Sequence, residues 1–259
     1  MSVRGRFSLP EQETVVQQAR AVATRAQIVL HAAEAFEKAG FAGASLGTIL
    51  ASAGTTKGAL YFHFRSKEAL ARFIIAEQHR ISIASVEAIG REHASAIEQI
   101  VMLCHEMARQ IVEDPVVRAG IRITLELSAA ADGPADPYLD WITTCERLVR
   151  RAIEEGDLRA DLDPPSLARF VIGAFTGVQT VSQVLAHRTD LEQRVDEMWT
   201  FLLPGIMPAH RHRDIERIRT ARSMAALPPA SRSSPPAGRG LPQPPRSPGP
   251  GSSSSGHRW

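Results

Sequence analysis

The sequence predicts an all-α protein, and three observations support this fold class. Apolar residues recur at the three- and four-residue spacing of one helical face through most of the chain. Asp-Pro pairs at 114–115, 136–137 and 163–164 precede three of these segments. A proline is well tolerated in the first turn of a helix, because its missing amide has no helical partner there. No stretch alternates apolar and polar residues for long enough to indicate a strand.

Length and charge indicate two domains of different character. The chain has 259 residues, of which 44% are hydrophobic, so it can bury at least one sizeable core. Residues 19–80 carry eight basic and four acidic side chains, residues 81–208 carry eleven and twenty, and the remainder from residue 209 carries nine and two. A basic head on an acidic body is typical of a nucleic-acid-binding unit joined to a domain that stays off the nucleic acid.

The first elements of the head can be placed from their caps. Residues 1–18 show no clear period and are predicted to be a flexible extension. A first helix is predicted from residue 18 or 24 to residue 39. A second helix is predicted over 45–53, because Ser45 is a good N-cap and Gly54 can adopt the left-handed backbone that ends a helix.

A very short third helix, from about Thr56 to Phe62, completes a helix-turn-helix. Residues 19–66 are therefore predicted to be a DNA-binding domain whose second short helix enters the major groove. Leu60 and Phe64 would form the inward face of that helix. The side chains predicted to meet DNA are groups that bond phosphate oxygens or base edges, together with a glycine that lets the backbone approach the duplex. They are Ser45, Thr55, Thr56, Lys57, Gly58, Tyr61, His63 and Lys67.

Residues 67–208 are predicted to form a helical ligand-binding and dimerisation domain. Ser66 caps its first helix, which continues toward Gly90. We expect this helix to be the only rod linking head to body, so that a ligand signal passes through its tilt. Thr189 and Glu192 predict a capping box for the last helix, which should end before Pro204. The helices between are predicted over 94–112, 114–127, 136–155 and 163–186, with a Gly- and Pro-bearing loop at 129–135.

The last two of these helices carry small and apolar faces that predict a four-helix interface with a second copy of the chain. Dimerisation is favoured because one helix-turn-helix reads too few base pairs, whereas two paired heads read a palindrome. Ordinary packing within the subunit is the alternative. The two faces consist of Phe170, Ala174, Gly177, Val178 and Val181, and of Val195, Met198, Trp199, Leu202 and Leu203.

The remaining composition excludes several classes of protein. Residues 209–226 form a candidate basic helix, and residues 227–259 are predicted to be a disordered Pro/Ser/Gly-rich tail. Two cysteines without metal-binding spacing predict free thiols in a reduced cytosol, and no metal or cofactor is expected. No apolar run approaches membrane-spanning length, so a soluble, cytoplasmic protein is expected. An enzyme is disfavoured because no nucleophile, paired carboxylates or phosphate loop lies near the candidate acid–base histidines, which are His63, His79, His93 and His105.

Four sequence runs carry a resemblance to a known family. The run GTTKGALYFHFRSKEAL closely resembles the recognition region of TetR-family regulators. The runs DPVVRAGIRIT, DPYLDW and DEMWTFLLPGIMP are similar to the γ-butyrolactone receptor branch of that family. The likeness covers about residues 19–208 and includes neither the N-terminal extension nor the Pro/Ser tail.

The resemblance implies a ligand site. In that branch, a tryptophan at the position matching Trp141 lines the ligand pocket and bonds the lactone. On physical grounds, a buried indole N–H needs an acceptor, which a ligand carbonyl would supply. Trp199 is expected to pack at the dimer helices. Apolar helix faces extend the candidate pocket to Met102, Ile121, Thr124, Leu125 and Val178.

The resemblance also implies a function: a homodimeric repressor that binds an inverted-repeat operator in double-stranded DNA and is released by a small lactone. Family members typically govern antibiotic production and morphological development. Two alternatives stay open. One is an orphan receptor of the same branch that senses an antibiotic or another hydrophobic molecule. The other is a drug-efflux repressor for hydrophobic cations, which would need acidic pocket residues such as Glu106 or Glu126. True receptors of this branch are generally acidic and the orphan regulators basic, and this chain departs from the receptor pattern with a net charge of +2. The excess comes from residues after Pro208, since residues 1–208 sum to about −5, and together with Trp141 this favours a receptor.

Overall fold

The computed structural model describes residues 9–128 and 136–224, and in these ranges it contains helices and no strand. The predicted all-α class is confirmed. The elements are α1 (Leu9–Gly43), α2 (Leu46–Ala53), α3 (Lys57–His63), α4 (Lys67–Gly90), α5 (Ala96–Glu113), α6 (Pro115–Leu127), α7 (Asp136–Glu154), α8 (Pro164–Ala186), α9 (Leu191–Ile206), a 3-10 helix (Ala209–Asp214) and α10 (Ile215–Arg219).

The helix-turn-helix is bounded by the predicted caps. Ser45 Oγ accepts a hydrogen bond from Thr48 N at 3.1 Å, and Thr56 Oγ1 accepts one from Ala59 N at 3.2 Å. Between them, Gly54 ends α2 in the left-handed region with φ 58°. Ser66 Oγ caps α4 in the same way, accepting from Ala69 N at 3.1 Å. These local bonds satisfy amides that the first turns would otherwise leave unpaired, and they fix where each short helix begins.

Helix α1 begins earlier than the sequence predicted. It starts at Leu9 instead of at residue 18 or 24, so residues 9–17 are helical and the predicted start of the helix is wrong. Residues 1–8 lie outside the described part of the chain. Near its other end, α1 bends at Gly40, where φ is 72°. A side chain there would meet the Glu126 carboxylate at 2.7 Å, so both the backbone conformation and the available space require glycine.

Helix α9 also differs from its prediction. It begins at Leu191 after Asp190 and continues through Pro204 to Ile206. The predicted capping box is not formed, because the Thr189 hydroxyl donates instead to Ala186 O at 2.9 Å, at the end of the preceding helix. Pro204 is exposed and has no N–H to donate to the preceding turn, and the helix ends two residues after it.

Head and body are joined by two helices rather than one. Helix α4 runs continuously between them, as predicted, but α6 also buries Val116, Ala119 and Ile123 in the hydrophobic core of the head. At the crossing of α4 and α6, a Cβ on Gly120 would lie 2.5 Å from Gln78 Cβ, so only glycine permits this approach. The prediction that α4 is the only link is therefore wrong.

The segment after Pro208 packs on the body instead of extending into solvent. Ile218 of α10 is fully buried in the body core, next to Trp199 and Leu203 of α9. Arg217 pairs with Glu98, and Arg219 lies 3.4 Å from Asp196. The predicted basic helix over 209–226 is thus a 3-10 turn and a short helix ending at Arg219, and Arg211, Arg217, Arg219 and Arg222 pair with carboxylates of the body. The tail predicted over 227–259 lies outside the described residues.

Candidate DNA interface and ligand cavity

The recognition helix α3 presents a polar face to solvent. Thr56, Lys57 and Gly58 at its start are exposed, and Tyr61, one turn later, is 44% exposed. Lys57 Nζ lies 5.9 Å from the centroid of the Tyr61 ring, so the two side chains share one face. Leu60 and Phe64, predicted to face inward, are buried. Of the other predicted contacts, Ser45 is exposed as the N-cap of α2, whereas Thr55 and His63 are half-buried.

Phe62 was not assigned a role from the sequence, although it is 79% exposed on α3. The Phe62 and His63 rings meet edge to face with centroids 5.0 Å apart. The exposure of Phe62 could have been predicted from the sequence. Phe62 lies two residues from both Leu60 and Phe64, and a helical residue two positions from inward-facing residues points outward. An exposed ring on a groove-facing helix can contact a thymine methyl group.

Lys67 has a different role from the predicted one. Its ammonium donates to Phe41 O at 2.9 Å and to Ala44 O at 3.1 Å, with Ala42 O at 3.5 Å. It also lies 4.6 Å from the centroid of the Phe41 ring. All three ammonium protons have acceptors at the end of α1 or directly after it. Lys67 therefore holds the helix-turn-helix together, and its charge is not directed at DNA in this conformation.

A cavity of about 90 Å³ lies between α4, α5, α6, α7 and α8 of the body. Trp141 and Ile121, two of the six predicted ligand residues, line it. Its other walls are mostly apolar and come from every helix around it. They include Val86, Ile100, Leu103, Met107, Ile111, Leu148, Val171, Ile172 and Phe175.

The other four predicted ligand residues lie elsewhere. Thr124 is buried, and its hydroxyl donates to Gly120 O at 2.8 Å within α6. Leu125 is 44% exposed and faces a separate cleft beside α1. Val178 lines an open groove between α8 and α9. Met102 is buried but is not part of the cavity wall, which α5 forms with Leu103, Cys104 and Met107 instead.

Two residues of the cavity wall each carry a buried polar atom without a hydrogen-bond partner. Trp141 Nε1 and Gln110 Oε1 are both buried and unpaired. The Gln110 amide is fixed by its other end, because Nε2 donates to Ser85 Oγ and to Glu106 Oε1, each at 2.7 Å. Tyr138 lies beside Trp141, with ring centroids 4.9 Å apart. Burial raises the pKa of the Tyr138 phenol, so its hydroxyl remains a neutral donor.

The ionisable groups of the cavity carry little net charge. Glu106 pairs with Arg109, whose Nη2 and Nε lie 2.7 and 2.9 Å from its two oxygens. Cys104 and Cys145 are buried free thiols, as predicted, and both line the cavity. Burial raises the pKa of Cys145 to about 12 and raises that of Cys104 further, so both remain protonated. The site therefore suits a neutral, largely apolar molecule.

The outer face of α8 carries the predicted apolar surface. Phe170 and Val181 are 58% and 45% exposed, and Gly177 has open space where a Cβ would be. Of the predicted α9 face, Val195, Trp199 and Leu203 are fully buried within the subunit. The α9 side of the groove is formed by the other two predicted residues, Met198 and Leu202, together with Phe201.

No group of three or more potential metal-ligating side chains occurs in the described ranges. Among the helices of those ranges, none combines the length and the apolar character needed to cross a membrane.

Comparison with known proteins agrees with this arrangement. The family model described as bacterial regulatory proteins, tetR family, matches residues 28–73, and the tetracyclin repressor-like C-terminal domain matches residues 94–208. The A-factor receptor protein of Streptomyces griseus is 37% identical over 192 residues, which are 74% of this chain and 67% of that protein.

Two solved structures extend the likeness to three dimensions. A γ-butyrolactone receptor described as ArpA-like is 30% identical with a TM-score of 0.67, and the match covers 77% of this chain and 96% of that one. The TetR-family protein CprB of Streptomyces coelicolor, in complex with its operator sequence, is 32% identical with a TM-score of 0.66 and the same coverage. The chain therefore belongs to the TetR family of bacterial regulatory proteins, in its γ-butyrolactone receptor branch.

Proposed function

We propose that this protein is a homodimeric repressor that binds an inverted-repeat operator and is released from it by a small γ-butyrolactone-type signal. The regulated genes would belong to secondary metabolism or development. The protein would act in the cytoplasm, associated with the nucleoid. Support comes from the A-factor receptor, the γ-butyrolactone receptor structure and the operator complex of CprB, which are its relatives.

The unpaired donor and acceptor in the cavity carry the ligand proposal. A buried N–H or carbonyl oxygen without a partner costs about 1–3 kcal/mol, so a ligand that pairs both gains affinity and orientation. A lactone with a ring carbonyl, a hydroxyl and an alkyl tail has the complementary groups. Its carbonyl would accept from Trp141 Nε1, its hydroxyl would donate to Gln110 Oε1, and its tail would lie against the apolar wall.

The alternative ligands are ranked by charge. A hydrophobic cation would need a free carboxylate, but Glu106 is already paired with Arg109, and Glu126 is outside the cavity, where it accepts from Phe41 N at 2.6 Å. A drug-efflux repressor for cations is therefore disfavoured. A neutral antibiotic remains the second candidate, because the wall would accept any apolar molecule with a carbonyl.

On the DNA side, we propose that Thr56, Lys57, Gly58 and Tyr61 meet the major groove or its phosphates, with Ser45, Thr55 and His63 at the edge of the contact. The assignment of Thr56, Lys57, Gly58 and Tyr61 is supported by their exposure to solvent at α3, where Lys57 and Tyr61 share one face. The apolar groove on α8 and α9 would pair two subunits, so that two heads read the two half-sites of a palindrome.

Release would follow from the size of the cavity. Pockets for drug-sized ligands usually measure roughly 300–1,000 Å³, whereas this cavity measures about 90 Å³. A lactone with an alkyl chain would therefore have to separate the surrounding helices. Helix α4 contributes Ser82, Ser85 and Val86 to the wall and carries the head at its other end. To move occupancy from nearly full to nearly empty, the ligand must prefer the DNA-incompetent state by about 5.5 kcal/mol.

The test uses the full chain and an operator selected from random double-stranded DNA. Fluorescence anisotropy should give tight binding to a palindrome, and a hydroxyl-bearing γ-butyrolactone with an alkyl chain should release it. Lys57→Ala should weaken binding by at least tenfold, while Arg91→Ala, at an exposed cation directly after the far end of α4, should not. Release of the operator by neutral antibiotics but by no lactone would favour an orphan receptor that senses an antibiotic. A selected site without two-fold symmetry would contradict the repressor proposal.

A further inference from the structure

A single carboxylate oxygen of the head is shared by two arginines of the body. Glu37 lies on α1, and its Oε1 accepts from Arg118 Nε at 2.8 Å and from Arg188 Nη1 at 3.0 Å. Arg118 is on α6, and Arg188 follows the end of α8. The three side chains are only 27%, 19% and 15% exposed, so water screens these contacts weakly.

The backbone around Arg188 adopts an unfavourable conformation that directs this side chain inward. His187 and Arg188 both have left-handed backbones, with φ of 48° and 68°, which non-glycine residues adopt at a cost of about 1–2 kcal/mol each. Both amides donate to Ser182 O, closing the end of α8. Burial lowers the pKa of the Arg188 guanidinium, and the Glu37 carboxylate opposes that change. A partly buried cation at a strained turn is tolerated when its partner compensates for lost water.

The two arginines that bind Glu37 come from α6 and from the residues directly after α8, and both of these helices also form walls of the ligand cavity. Helix α6 contributes Ile121, and α8 contributes Phe175 and Gln179. Ile111, Ile121 and Gln179 also line a second cleft, of about 480 Å³, whose wall includes Glu37 and both arginines. The ligand cavity and the cleft around Glu37 therefore share three side chains of their walls.

We propose that Glu37 couples the ligand cavity to the head by requiring α6 and α8 to stay close together. While they are close, one oxygen binds both arginines and holds α1 against the body in the DNA-binding position. A ligand that widens the cavity would separate α6 from α8, and Oε1 could then reach only one arginine. This inference rests on the proposed ligand-released repressor and adds a second route of coupling beside α4.

The decisive variant is Glu37→Gln, which keeps the size of the side chain but removes the charge that two arginines share. We expect its operator dissociation constant to rise about tenfold without ligand, within the usual range of allosteric coupling. Coupling between two sites is reciprocal, so the dissociation constant for the lactone, measured without DNA by calorimetry, should fall. The matched control is Glu34→Gln, one turn earlier on α1, where the carboxylate pairs only locally with His31 at 3.1 Å.

Two outcomes would overturn the inference. One is unchanged operator affinity in Glu37→Gln. The other is weaker operator binding with unchanged lactone affinity, which would mean that Glu37 only stabilises the fold. Thermal melting and sedimentation establish that each variant is a folded dimer, and Arg188→Gln repeats the test from the other partner. If the wild-type protein ignores the lactone, the ligand proposal fails instead, and the comparison of Glu37→Gln with Glu34→Gln on the operator still decides whether this contact holds the head.

Discussion

Trp141 Nε1 on α7 and Gln110 Oε1 on α5 belong to one cavity wall, and both atoms are buried without a hydrogen-bond partner. Each leaves part of its hydrogen-bonding capacity unused in the folded protein, at a cost that a bound molecule can remove. The pair also specifies the order of groups on that molecule, because one atom can only donate and the other can only accept.

Trp141→Phe should weaken lactone binding by about fivefold to a hundredfold, because the lactone carbonyl would be left buried without a donor at a cost of about 1–3 kcal/mol. The ring remains to fill most of the volume, so operator affinity without ligand should not change. Calorimetry with the lactone and anisotropy with the operator measure the two effects separately. Equal lactone affinity in wild type and variant would remove Trp141 from the ligand site.

Lys67→Met and Lys57→Met should have opposite consequences, although they make the same chemical change. Lys67→Met removes an ammonium whose three N–H groups bond to backbone carbonyls at the end of α1 and directly after it. The substitution should lower the free energy of unfolding by about 2 kcal/mol. Lys57 is exposed, so its substitution should leave stability within about 0.5 kcal/mol of wild type while weakening operator binding. Urea denaturation and anisotropy measure both quantities. A stable Lys67→Met variant would contradict the role assigned to the ammonium.

Phe201→Glu should convert the dimer to monomer. Phe201 is 83% exposed in the groove between α8 and α9, and a carboxylate there would lose its hydration on pairing with a second copy. Sedimentation velocity at micromolar concentration measures the change. Leu139→Glu, at a 56% exposed position on α7, is the matched control and should remain dimeric. Dimeric Phe201→Glu would place the interface elsewhere.

His105 should make the protein sensitive to acid. Its pKa is lowered from 6.5 to about 4, mainly by burial and secondarily by the positive charge of Arg222, while nearby Asp196 opposes the shift. Between these values the unfolded chain binds a proton that the folded chain does not, so stability falls as pH falls from about 6.5 to about 4. The loss can reach about 3 kcal/mol.

The variant His105→Gln cannot take up this proton, so its unfolding free energy should depend less on pH over the same interval. Urea denaturation at pH 7 and pH 4.5 measures the difference, with the exposed His93→Gln variant as the control for loss of an imidazole. Parallel pH profiles for wild type and His105→Gln would show that another group dominates acid unfolding.

Local chemistry decided which parts of this fold could be predicted. The caps at Ser45, Thr56 and Ser66 bond to amides three residues away, so the sequence contains both partners next to each other. The partners of Lys67 lie 23 to 26 residues earlier and become visible only once α1 and α4 meet. Its position beside the recognition helix suggested DNA, whereas its neighbours in space use the same charge for packing.

The ligand cavity was predicted less well for a related reason. Periodicity identifies the apolar face of a helix but not which neighbour that face meets. On α5, Met102 and Leu103 are both apolar, yet only Leu103 reaches the cavity. On α9 all five apolar residues were assigned outward, although only Met198 and Leu202 line the outer groove and Trp199 lies in the subunit core. These outcomes depend on the rotation of each helix about its axis, which tertiary packing sets.

The contact between Gly120 and Gln78 has a mechanical consequence. Gln78 lies at the middle of α4, with 11 residues before it and 12 after it in the Lys67–Gly90 helix. Such a crossing acts as a fulcrum with two arms of about 17 Å, so a tilt that moves the cavity end one way moves the head end equally far the other way. A tilt of about 2 Å in each subunit would change the distance between the two recognition helices by about 4 Å, close to the rise of one base pair. Because the two arms are equal, the displacement at the head is as large as the displacement at the cavity. The two-fold axis of the dimer doubles the change in distance between the recognition helices, which would suffice to misalign them with the two half-sites.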